Sequence, residues 1–310
     1  MYDATKPYKK EVLNLIKETW NTPYVSVENN VVEKKFSFNE YHHSDGIGTK
    51  GLYHWAKRSF KNAVIDSLAM NLNDLAVNRT VPYAVVDHLF MPEDDNQAIV
   101  DIIRNLSFEC KKRNIAITGG ETSIHDNIKG MDISMTMLGF IEKPKLNKFL
   151  TGDALIGIES KGLHSNGFTK IAELFGREFR NEFIEPTNIY YDLINRLNKK
   201  FTIHGMMHIT GGAFTKLKDV LQGNDAVIFN NHKLKPREIF FDIYKRRVSD
   251  EDMYKIFNCG IGFVLSVSKS DVHDILNEIN EFKADEIGEV KHGNGNVIVH
   301  SMFSRKKVEL

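Results

Sequence analysis

Cysteine is scarce in this chain, because Cys110 and Cys259 are the two present among 310 residues. Two thiols cannot build a disulfide framework, and they cannot form a structural zinc site unaided. This usage is typical of a protein that works in a reducing compartment. We therefore predict a cytoplasmic location.

Long apolar runs are also lacking. No window approaches the roughly 20 apolar residues that a membrane-crossing helix needs, so no membrane partner is predicted. The stretch Met1–Trp20 mixes lysine, glutamate and apolar residues. This pattern is typical of an amphipathic helix and not of a signal peptide.

The chain has no excess charge of either sign, since 41 Lys and Arg residues balance 41 Asp and Glu residues. The net charge therefore produces no overall electrostatic field that would favour nucleic acid or an anionic membrane surface as a partner. Any anion that the protein binds is therefore predicted to be held by local groups. The length and the 42% hydrophobic content allow a large core and two domains.

The eight residues Ser44–Gly51 combine a carboxylate, three glycines, a hydroxyl and an ammonium group. Glycine lets backbone N–H groups approach anionic oxygens, Asp45 can hold Mg²⁺, and Lys50 offers a compact positive charge to a phosphate. A plain glycine turn between two strands is the alternative. The spacing is not that of a P-loop.

The first half of the chain alternates predicted helices and strands. Asp87 interrupts an apolar strand, so we expect it to end that strand at a site or to bind a cation. Gly119–Thr122 also combines glycines with a carboxylate, and we predict that it forms a corner, meaning a turn directly after a strand. Asn71 and Asp74 share one face of a predicted helix. This face belongs either to a functional site or, as the alternative, to the solvated surface of the helix. Helices are predicted at 9–19, 53–77 and 97–113, and strands at 24–27, 31–38, 83–89, 115–118 and 133–142.

A shift to Pro, Lys and Asn near residue 145 predicts a boundary between domains 1–145 and 146–310. In the second domain the loop 162–167 joins a strand to a helix, an order that presents free N–H groups to phosphate. Ser165 and Asn166 as ordinary N-caps are the alternative. Strands are predicted at 154–159, 203–209 and 261–267, helices at 168–175, 189–197, 214–221, 239–244, 249–257 and 272–282, and a β-rich end at 284–299.

Both halves alternate strands and helices and place glycines at strand ends. This organisation predicts a mixed α/β fold, α/β or α+β, of two similarly built domains.

Seven motifs stand in one order along the chain. They read Ser-Asp-Gly-Ile-Gly-Thr-Lys at 44–50, Asn-Leu-Asn-Asp-Leu at 71–75, Gly-Gly-Glu-Thr at 119–122, Gly-Leu-His-Ser-Asn-Gly at 162–167, Glu-Pro-Thr-Asn-Ile-Tyr at 185–190, His-Ile-Thr-Gly-Gly at 208–212 and Met-Tyr-Lys-Ile-Phe-Asn-Cys-Gly-Ile-Gly at 253–262. Together they resemble the aminoimidazole ribonucleotide synthetase family, also called phosphoribosylformylglycinamidine cyclo-ligase. The resemblance covers the chain from about residue 40 to its end.

The resemblance implies an ATP-dependent enzyme without a P-loop. It implies a homodimer in which the N-terminal sheet completes a barrel with a second subunit, and a C-terminal α/β domain. The implied reaction is phosphorylation of the amide oxygen of formylglycinamidine ribonucleotide by ATP, followed by attack of an internal nitrogen and loss of phosphate to give aminoimidazole ribonucleotide.

The resemblance also implies a role for each motif, and the residue types suit those roles. Carboxylates are hard ligands for Mg²⁺ on the ATP phosphates, a lysine suits the γ-phosphate, and a histidine can carry a proton. The implied magnesium ligands are Asp45, Asp74, Asp87 and Glu121. The implied catalytic groups are Asp45, Lys50, Asp74 and His208. Nucleotide contacts are implied for Gly46, Gly48, Thr49, Asn73, Gly119, Gly120, Glu121 and Thr122, and substrate contacts for Ser165, Asn166, Thr210, Gly211 and Gly212. His164, His204 and His208 have the alternative of structural histidines.

The chain departs from the family pattern in three places. Residues 21–43 contain no glycine, Ser123–Asp126 replaces a usual Ala-Glu-Met-Pro, and Arg79–Pro82 keeps only the proline of Gly-Ala-Glu-Pro. We therefore expect a divergent member with a shortened N-terminus.

Rival activities exist on the same scaffold. A selenophosphate synthetase is expected to carry a reactive cysteine or selenocysteine near its start, whereas the first cysteine here is Cys110. The hydrogenase-maturation dehydratase needs a C-terminal cysteine, whereas this chain ends in Leu310. Both activities are therefore disfavoured. A kinase like thiamine-monophosphate kinase and a non-catalytic nucleotide-binding protein stay open.

Overall fold

The computed structural model describes residues 6–28 and 31–310. The first five residues of the predicted N-terminal helical stretch lie outside the described residues. Two compact units are present: the first comprises the described residues up to 75 together with 80–144, and the second comprises 76–79 and 145–310. With the alternation of helices and strands in both units, this confirms the predicted two-domain mixed α/β fold.

The first unit is built on a four-stranded sheet. Its strands are β3 (Asn39–Gly46), β4 (Val81–Met91), β5 (Ala116–Ile124) and β6 (Asp132–Ile141), in the order β3-β6-β4-β5. The pairs β3–β6 and β4–β6 are antiparallel, and β4–β5 is parallel. The remaining elements are β1 (Val25–Glu28), β2 (Val31–Lys34), α1 (Lys9–Lys17), α2 (Gly51–Lys57), α3 (Phe60–Val77) and α4 (Asn96–Lys112).

Burial alternates along the central strands of this sheet. Met135 and Leu89 are buried, whereas Ser134 and His88 on the other face are half-buried. The inner face meets α3, where the Ser67 hydroxyl donates to the Ile133 carbonyl at 2.9 Å. Because successive strand residues point to opposite faces, the register decides which candidate side chains share the inner face.

The second unit contains a seven-stranded sheet in the order β13-β12-β9-β11-β7-β10-β8. Its strands are β7 (Ala154–Glu159), β8 (Ile203–His208), β9 (Asn224–Ile228), β10 (Ile261–Val267), β11 (Ala284–His292), β12 (Val297–His300) and β13 (Lys307–Glu309). Its helices are α5 (Phe168–Phe175), α6 (Tyr191–Lys200), α7 (Lys218–Leu221), α8 (Glu238–Lys245), α9 (Asp250–Ile256) and α10 (Val272–Glu278).

Strand directions in this sheet bring several loops to one edge. β7 runs antiparallel to β10 and β11, β10 to β8, and β11 to β9, while β9 and β12 are parallel. The ends of β7, β8, β9 and β12 therefore lie along the same edge as the starts of β10 and β11. We call this the upper edge of the second unit.

Four predictions about elements need correction. The predicted helix 53–77 is two helices, since Arg58 adopts a left-handed conformation (φ 54°) between α2 and α3. Asp87 does not end its strand but lies within β4. Gly119–Thr122 is not a corner, because β5 continues through it in register with β4. Residues 214–221 form a short 3₁₀ helix followed by α7.

Over the described residues, no helix combines the length and the apolar content that a membrane span needs.

Candidate functional site

The turn after β3 is held by its own glycines and by an aspartate that the sequence did not single out. Gly48 has a φ of +52°, a conformation that favours glycine. A Cβ on Gly51 would lie 1.7 Å from the Met131 carbonyl oxygen, so no larger residue fits there. Asp132 Oδ1 accepts hydrogen bonds from the backbone N–H groups of Ile47 (3.2 Å) and Gly48 (3.0 Å). The close approach of Gly51 to Met131 and the two hydrogen bonds to Asp132 therefore hold the turn in place.

Asp45 and Asp87 lie in one row across the sheet. Each is level with Met135 on the strand between them, and Asp87 is also level with Gly120. Neighbouring strands are about 4.8 Å apart, so two strand spacings, roughly 10 Å, separate the two backbones. Both side chains point to the inner face, where Asp87 is buried and Asp45 half-buried.

Helix α3 adds the third carboxylate on this side of the sheet. Asp74 Oδ2 lies 3.5 Å from Nε2 of His43, which is two residues before Asp45 and therefore on the same face. Asn71 Nδ2 donates to the Asp45 carbonyl oxygen at 3.2 Å. The structure thus gathers Asp45, Asp74 and Asp87 on the side of the sheet that α3 covers.

Glu121 is not part of this group. It is level with His88, the neighbour of Asp87 on β4, so its side chain points to the opposite face. It is exposed, and its Oε1 accepts from the Thr122 N–H at 2.8 Å. Across residues 6–28 and 31–310, there is no group of three or more His, Cys, Asp or Glu residues that could hold a metal ion. The predicted four-carboxylate magnesium set is therefore not assembled by the described residues.

One buried polar atom beside the inner carboxylates, Asn71 Oδ1, has no hydrogen-bond partner among the described residues. Leaving a buried polar atom unsatisfied costs about 1–3 kcal/mol, so such atoms commonly mark a place where water or a ligand binds. The amide oxygen of Asn71 is a hard donor of the kind that Mg²⁺ accepts. This part of the site therefore fits a cation with carboxylate and amide ligands.

Lys50 is enclosed instead of open to a ligand. It ends the short 3₁₀ helix Gly48–Lys50, its side chain is 0% exposed, and its Nζ lies 2.9 and 2.8 Å from the two carboxylate oxygens of Asp66. His54 Nε2 lies 2.7 Å from Asp66 Oδ2. A direct contact between Lys50 and the γ-phosphate would require Lys50 to leave this pair, and it stays a prediction.

The charges in this cluster follow from its contacts. Burial acts to raise the pKa of Asp66, but the Lys50 charge and the His54 hydrogen bond outweigh it and hold that pKa well below the ordinary range. Burial lowers the pKa of His54, against the opposing effect of Asp66. His54 is therefore neutral: its Nε2–H donates to Asp66 and its Nδ1 accepts from the Ser59 hydroxyl at 2.8 Å.

Asp66 and His54 are residues that the sequence interpretation missed. The signal was present, because Asp66 stands between Ile65 and Leu68 on the apolar face of α3, where a buried carboxylate requires a partner. Lys50 is that partner.

The remaining nucleotide candidates lie on the same elements as these groups. Gly46 ends β3, and its N–H donates to Asp45 Oδ1 at 2.8 Å. Thr49 lies in the 3₁₀ helix, and Asn73 is fully buried on α3. Gly119 and Thr122 lie on β5. Their predicted nucleotide contacts stay predictions.

In the second unit, the structure brings the predicted substrate residues to the upper edge. Asn166 Nδ2 donates to the Thr210 hydroxyl, and a Cβ on Gly211 would lie 3.3 Å from Asn166 Oδ1. Ser165 Oγ lies 3.0 Å from Thr187 Oγ1 in the Glu185–Tyr190 motif. Gly212 follows with a φ of +80° and begins a short 3₁₀ helix. The loops after β7 and β8 therefore form one polar cluster.

His164 and His208 are packed into the second unit near this cluster, whereas His204 lies at the start of β8, at the opposite edge of the sheet. His208 is 0% exposed, and its ring centroid lies 6.1 Å from that of Phe263 and 6.2 Å from that of Tyr190. His164 is 1% exposed, and His204 Nδ1 lies 2.8 Å from Asp153 Oδ2. These positions favour structural histidines, and proton transfer by His208 stays a prediction.

Comparisons with known proteins agree along most of the chain. Residues 41–141 match the family described as AIR synthase related protein, N-terminal domain, and residues 151–301 match its C-terminal domain. A phosphoribosylformylglycinamidine cyclo-ligase from Saccharolobus solfataricus is 34% identical over 94% of this chain and 92% of its own length. The Pyrococcus furiosus enzyme of the same name is 35% identical over 82% and 80%, and that of Clostridium novyi is 32% identical over 82% of each.

Solved structures share the fold at low identity. The hydrogenase maturation protein HypE in complex with ATP aligns with a TM-score of 0.72 at 13% identity, over 99% of this chain and 95% of that one. Thiamine monophosphate kinase from Aquifex aeolicus gives a TM-score of 0.62 at 17% identity, over 98% and 99%. Both domain matches and the three cyclo-ligase relatives lead to one conclusion: this chain belongs to the AIR synthase family, on its phosphoribosylformylglycinamidine cyclo-ligase branch.

Proposed function

We propose that this protein catalyses the ATP-dependent cyclisation of formylglycinamidine ribonucleotide to aminoimidazole ribonucleotide, a step of purine biosynthesis. The observation that carries the proposal is the 34% identity with the Saccharolobus cyclo-ligase over nearly the full length of both chains. The motif residues at the β3 turn and at the upper edge of the second unit are consistent with that activity.

The reaction has two balanced steps. The amide oxygen of the substrate forms a bond to the γ-phosphorus of ATP while the bond from that phosphorus to ADP breaks. An internal nitrogen then attacks the activated carbon, the carbon–oxygen bond breaks, and phosphate leaves as the new ring loses a proton. The protein has little covalent work to do, so positioning and charge neutralisation are its main contributions.

Asp45, Asp74 and Asp87 are proposed to orient the triphosphate through Mg²⁺, because they lie on one side of the first unit's sheet. When bound, the ion supplies charge neutralisation on the transferring phosphoryl group. Asn71 is added to this set for its unsatisfied Oδ1. Glu121, on the opposite face, is assigned no ligand role within one chain.

Lys50 is proposed to position the β3 turn through its buried pair with Asp66. The pair anchors the end of the 3₁₀ helix to α3, and the same helix contains Thr49. Loss of the Lys50–Asp66 pair would shift the backbone beside Asp45. We therefore expect slower phosphoryl transfer, because the reacting groups would be misplaced.

Ser165, Asn166, Thr210, Gly211 and Gly212 are proposed to bind the substrate. Hydroxyl and amide groups beside two exposed glycines can surround a ribose phosphate or an amide with donors. We also propose a cytoplasmic location and a homodimer formed by the outer face of the first unit's sheet, where Val86, Phe90 and Leu138 are half-exposed.

The decisive experiment incubates the purified protein with formylglycinamidine ribonucleotide and Mg-ATP and follows aminoimidazole and ADP together. We expect equal amounts of both products, and Asp45→Asn is expected to lower turnover by about 100-fold or more. Asp126→Asn, which makes the same change on an exposed loop, serves as the control. ATP binding without ring closure would favour a non-catalytic nucleotide-binding protein. Phosphorylation of thiamine monophosphate in place of ring closure would favour the kinase, for which the comparisons support the fold alone.

A further inference from the structure

The second unit contains a cavity of about 550 Å³ beside the substrate cluster on the upper edge. Its walls come from the end of β7, the loop after β9, the start of β10 and the start of β11. The volume lies within the range of about 300–1,000 Å³ that small-molecule sites occupy. The lining residues are Glu159, Ser160, Lys161, Glu185, Lys233, Leu234, Lys235, Arg237, Gly260 and Lys283.

The lining is strongly cationic in a chain with no net charge. Five side chains carry positive charge and two carry negative charge, which leaves a net charge of plus three. Arg237 is paired with Glu185. Among the residues that the structure describes, no carboxylate lies within ion-pair distance of the ammonium groups of Lys161, Lys233 or Lys283. Like charges this close repel one another, so an anion would stabilise the arrangement.

Three of the cations alternate along one extended segment. Lys233, Lys235 and Arg237 are exposed, whereas Leu234 and Pro236 between them, and His232 before them, are buried. Alternate residues of an extended chain point to one side at intervals of about 6.6 Å, so the row spans roughly 13 Å. A diphosphate offers more oxygens and more negative charge to these cations than a single phosphate group does.

Several contacts hold this segment in place. The Lys233 N–H donates to Asp285 Oδ2 at 2.6 Å, and Lys235 Nζ donates to the Asn230 carbonyl at 3.2 Å. Gly260, with a φ of +95°, lets the turn before β10 approach Lys235, since a Cβ there would lie 3.0 Å from the Lys235 carbonyl oxygen. The charged row is therefore built on a fixed backbone.

The opposite wall is also ordered. The Lys283 N–H donates to Glu159 Oε1 at 2.8 Å, and Lys161 Nζ lies 5.9 Å from the ring centroid of Phe282. Asp285 and Glu159 are thus engaged with backbone N–H groups, which partly satisfies their negative charge. On this wall, the ammonium groups of Lys161 and Lys283 donate no hydrogen bond within the described part of the chain and can donate to a ligand.

From this geometry we propose that the cavity binds a small molecule with a diphosphate group. The row of Lys233, Lys235 and Arg237 contacts its oxygens from one side, with Lys161 and Lys283 on the other. The source of the group is either free pyrophosphate or a nucleoside diphosphate. This site is separate from the proposed ring closure, because none of its lining residues has a role in that reaction.

The test measures how fast each lysine of the full-length protein is acetylated, by mass spectrometry and at constant ionic strength. Pyrophosphate is expected to slow labelling of Lys161, Lys233, Lys235 and Lys283 at least fivefold. Labelling of the exposed Lys199 and Lys307 should not change. A site-by-site readout is needed because the proposed function gives ADP a second site in the first unit.

Calorimetry with pyrophosphate then compares two matched double variants. Lys233→Gln/Lys235→Gln is expected to weaken binding tenfold or more, and Lys199→Gln/Lys307→Gln to change it less than twofold. Stronger protection by ADP than by pyrophosphate assigns the group to a nucleotide, and the reverse assigns it to free pyrophosphate. Equal protection by sulfate, no protection, or equal affinity in both double variants would overturn the proposal. Ring closure is assayed separately, so its failure would leave this result standing.

Discussion

The buried contact between Lys50 and Asp66 changes how a motif lysine is interpreted. Both side chains are 0% exposed, and His54 adds a second contact to the same carboxylate. A buried pair of this kind contributes little net stability compared with apolar residues, yet removing one partner is costly because the other charge stays behind. The lysine therefore contributes to the shape of the β3 turn whatever else it contacts.

Asp66→Asn is expected to destabilise the first unit by about 3–5 kcal/mol, since it leaves Lys50 as an uncompensated buried charge. Urea unfolding followed by fluorescence measures the loss. Asp126→Asn makes the same chemical change in an exposed loop and is expected to stay within about 0.5 kcal/mol of the parent. Equal stability of the two variants would show that the Lys50–Asp66 pair does not hold the turn.

His232 predicts an acid sensitivity of the second unit. Burial, with a further contribution from the Lys235 charge and against that of Asp285, lowers its pKa from 6.5 to about 4. The folded protein therefore holds a neutral imidazole while the unfolded chain takes up a proton below pH 6.5, so stability falls as the pH drops from 6.5 to about 4. The full loss is at most about 3 kcal/mol.

Thermal unfolding between pH 7 and pH 4 checks this expectation. His232→Gln should flatten the decline in melting temperature, whereas His273→Gln, at an exposed position of α10, should leave it unchanged. A decline of the same slope in the His232 variant would contradict the assignment.

At the scale of elements, sequence patterns predict the apolar strands and amphipathic helices well. β10 is buried at every position, and α4 shows regular apolar spacing, so both follow from the sequence. β3 reads Asn-Glu-Tyr-His-His-Ser-Asp-Gly, a polar edge strand with little intrinsic preference, and only its pairing with β6 defines it. Gly119 and Gly120 resemble a turn locally, but the β4 ladder carries the strand through them.

In the candidate site, too, some features follow from the sequence, whereas others depend on strand pairing and tertiary contacts. Asp45 stands beside a glycine and Asp87 interrupts an apolar strand, so the sequence alone marks both as candidates, whereas Asp74 is a candidate through its place in the family motif. The separation of Glu121 from them depends on strand register, which a one-residue shift reverses. The partner of Lys50 lies 16 residues away on a helix and follows only from the tertiary structure.

The Gly51 position of α2 predicts a strong steric effect. Gly51→Ala would place a Cβ 1.7 Å from the Met131 carbonyl oxygen, and a backbone atom cannot move aside cheaply. We expect a loss of about 3 kcal/mol or more in urea unfolding. Gly48→Ala, with open space but a φ of +52°, should cost about 1–2 kcal/mol. The reverse ranking would show that the close approach is absent in solution.

For the whole molecule, we expect sedimentation equilibrium to give twice the mass of one chain at micromolar concentration. Phe90→Glu places a charge on the outer face of the first unit's sheet and is expected to produce monomers. Phe108→Glu, on α4 of the same unit and 67% exposed, is the control and should stay dimeric. Monomers in the parent protein, or a dimer that only Phe108→Glu disrupts, would rule out this face.

The chain path between the two units has a consequence for protein engineering. Residues 76–79 group with the second unit although both flanking stretches belong to the first, and Arg79 Nη2 donates to the Ile203 carbonyl at 3.0 Å. A gene divided at codon 145 would thus separate Arg79 from its acceptor. Co-expressed halves would recover their native contacts only by reassociating, and a truncated protein intended to isolate the N-terminal half needs a redesigned loop at these four positions.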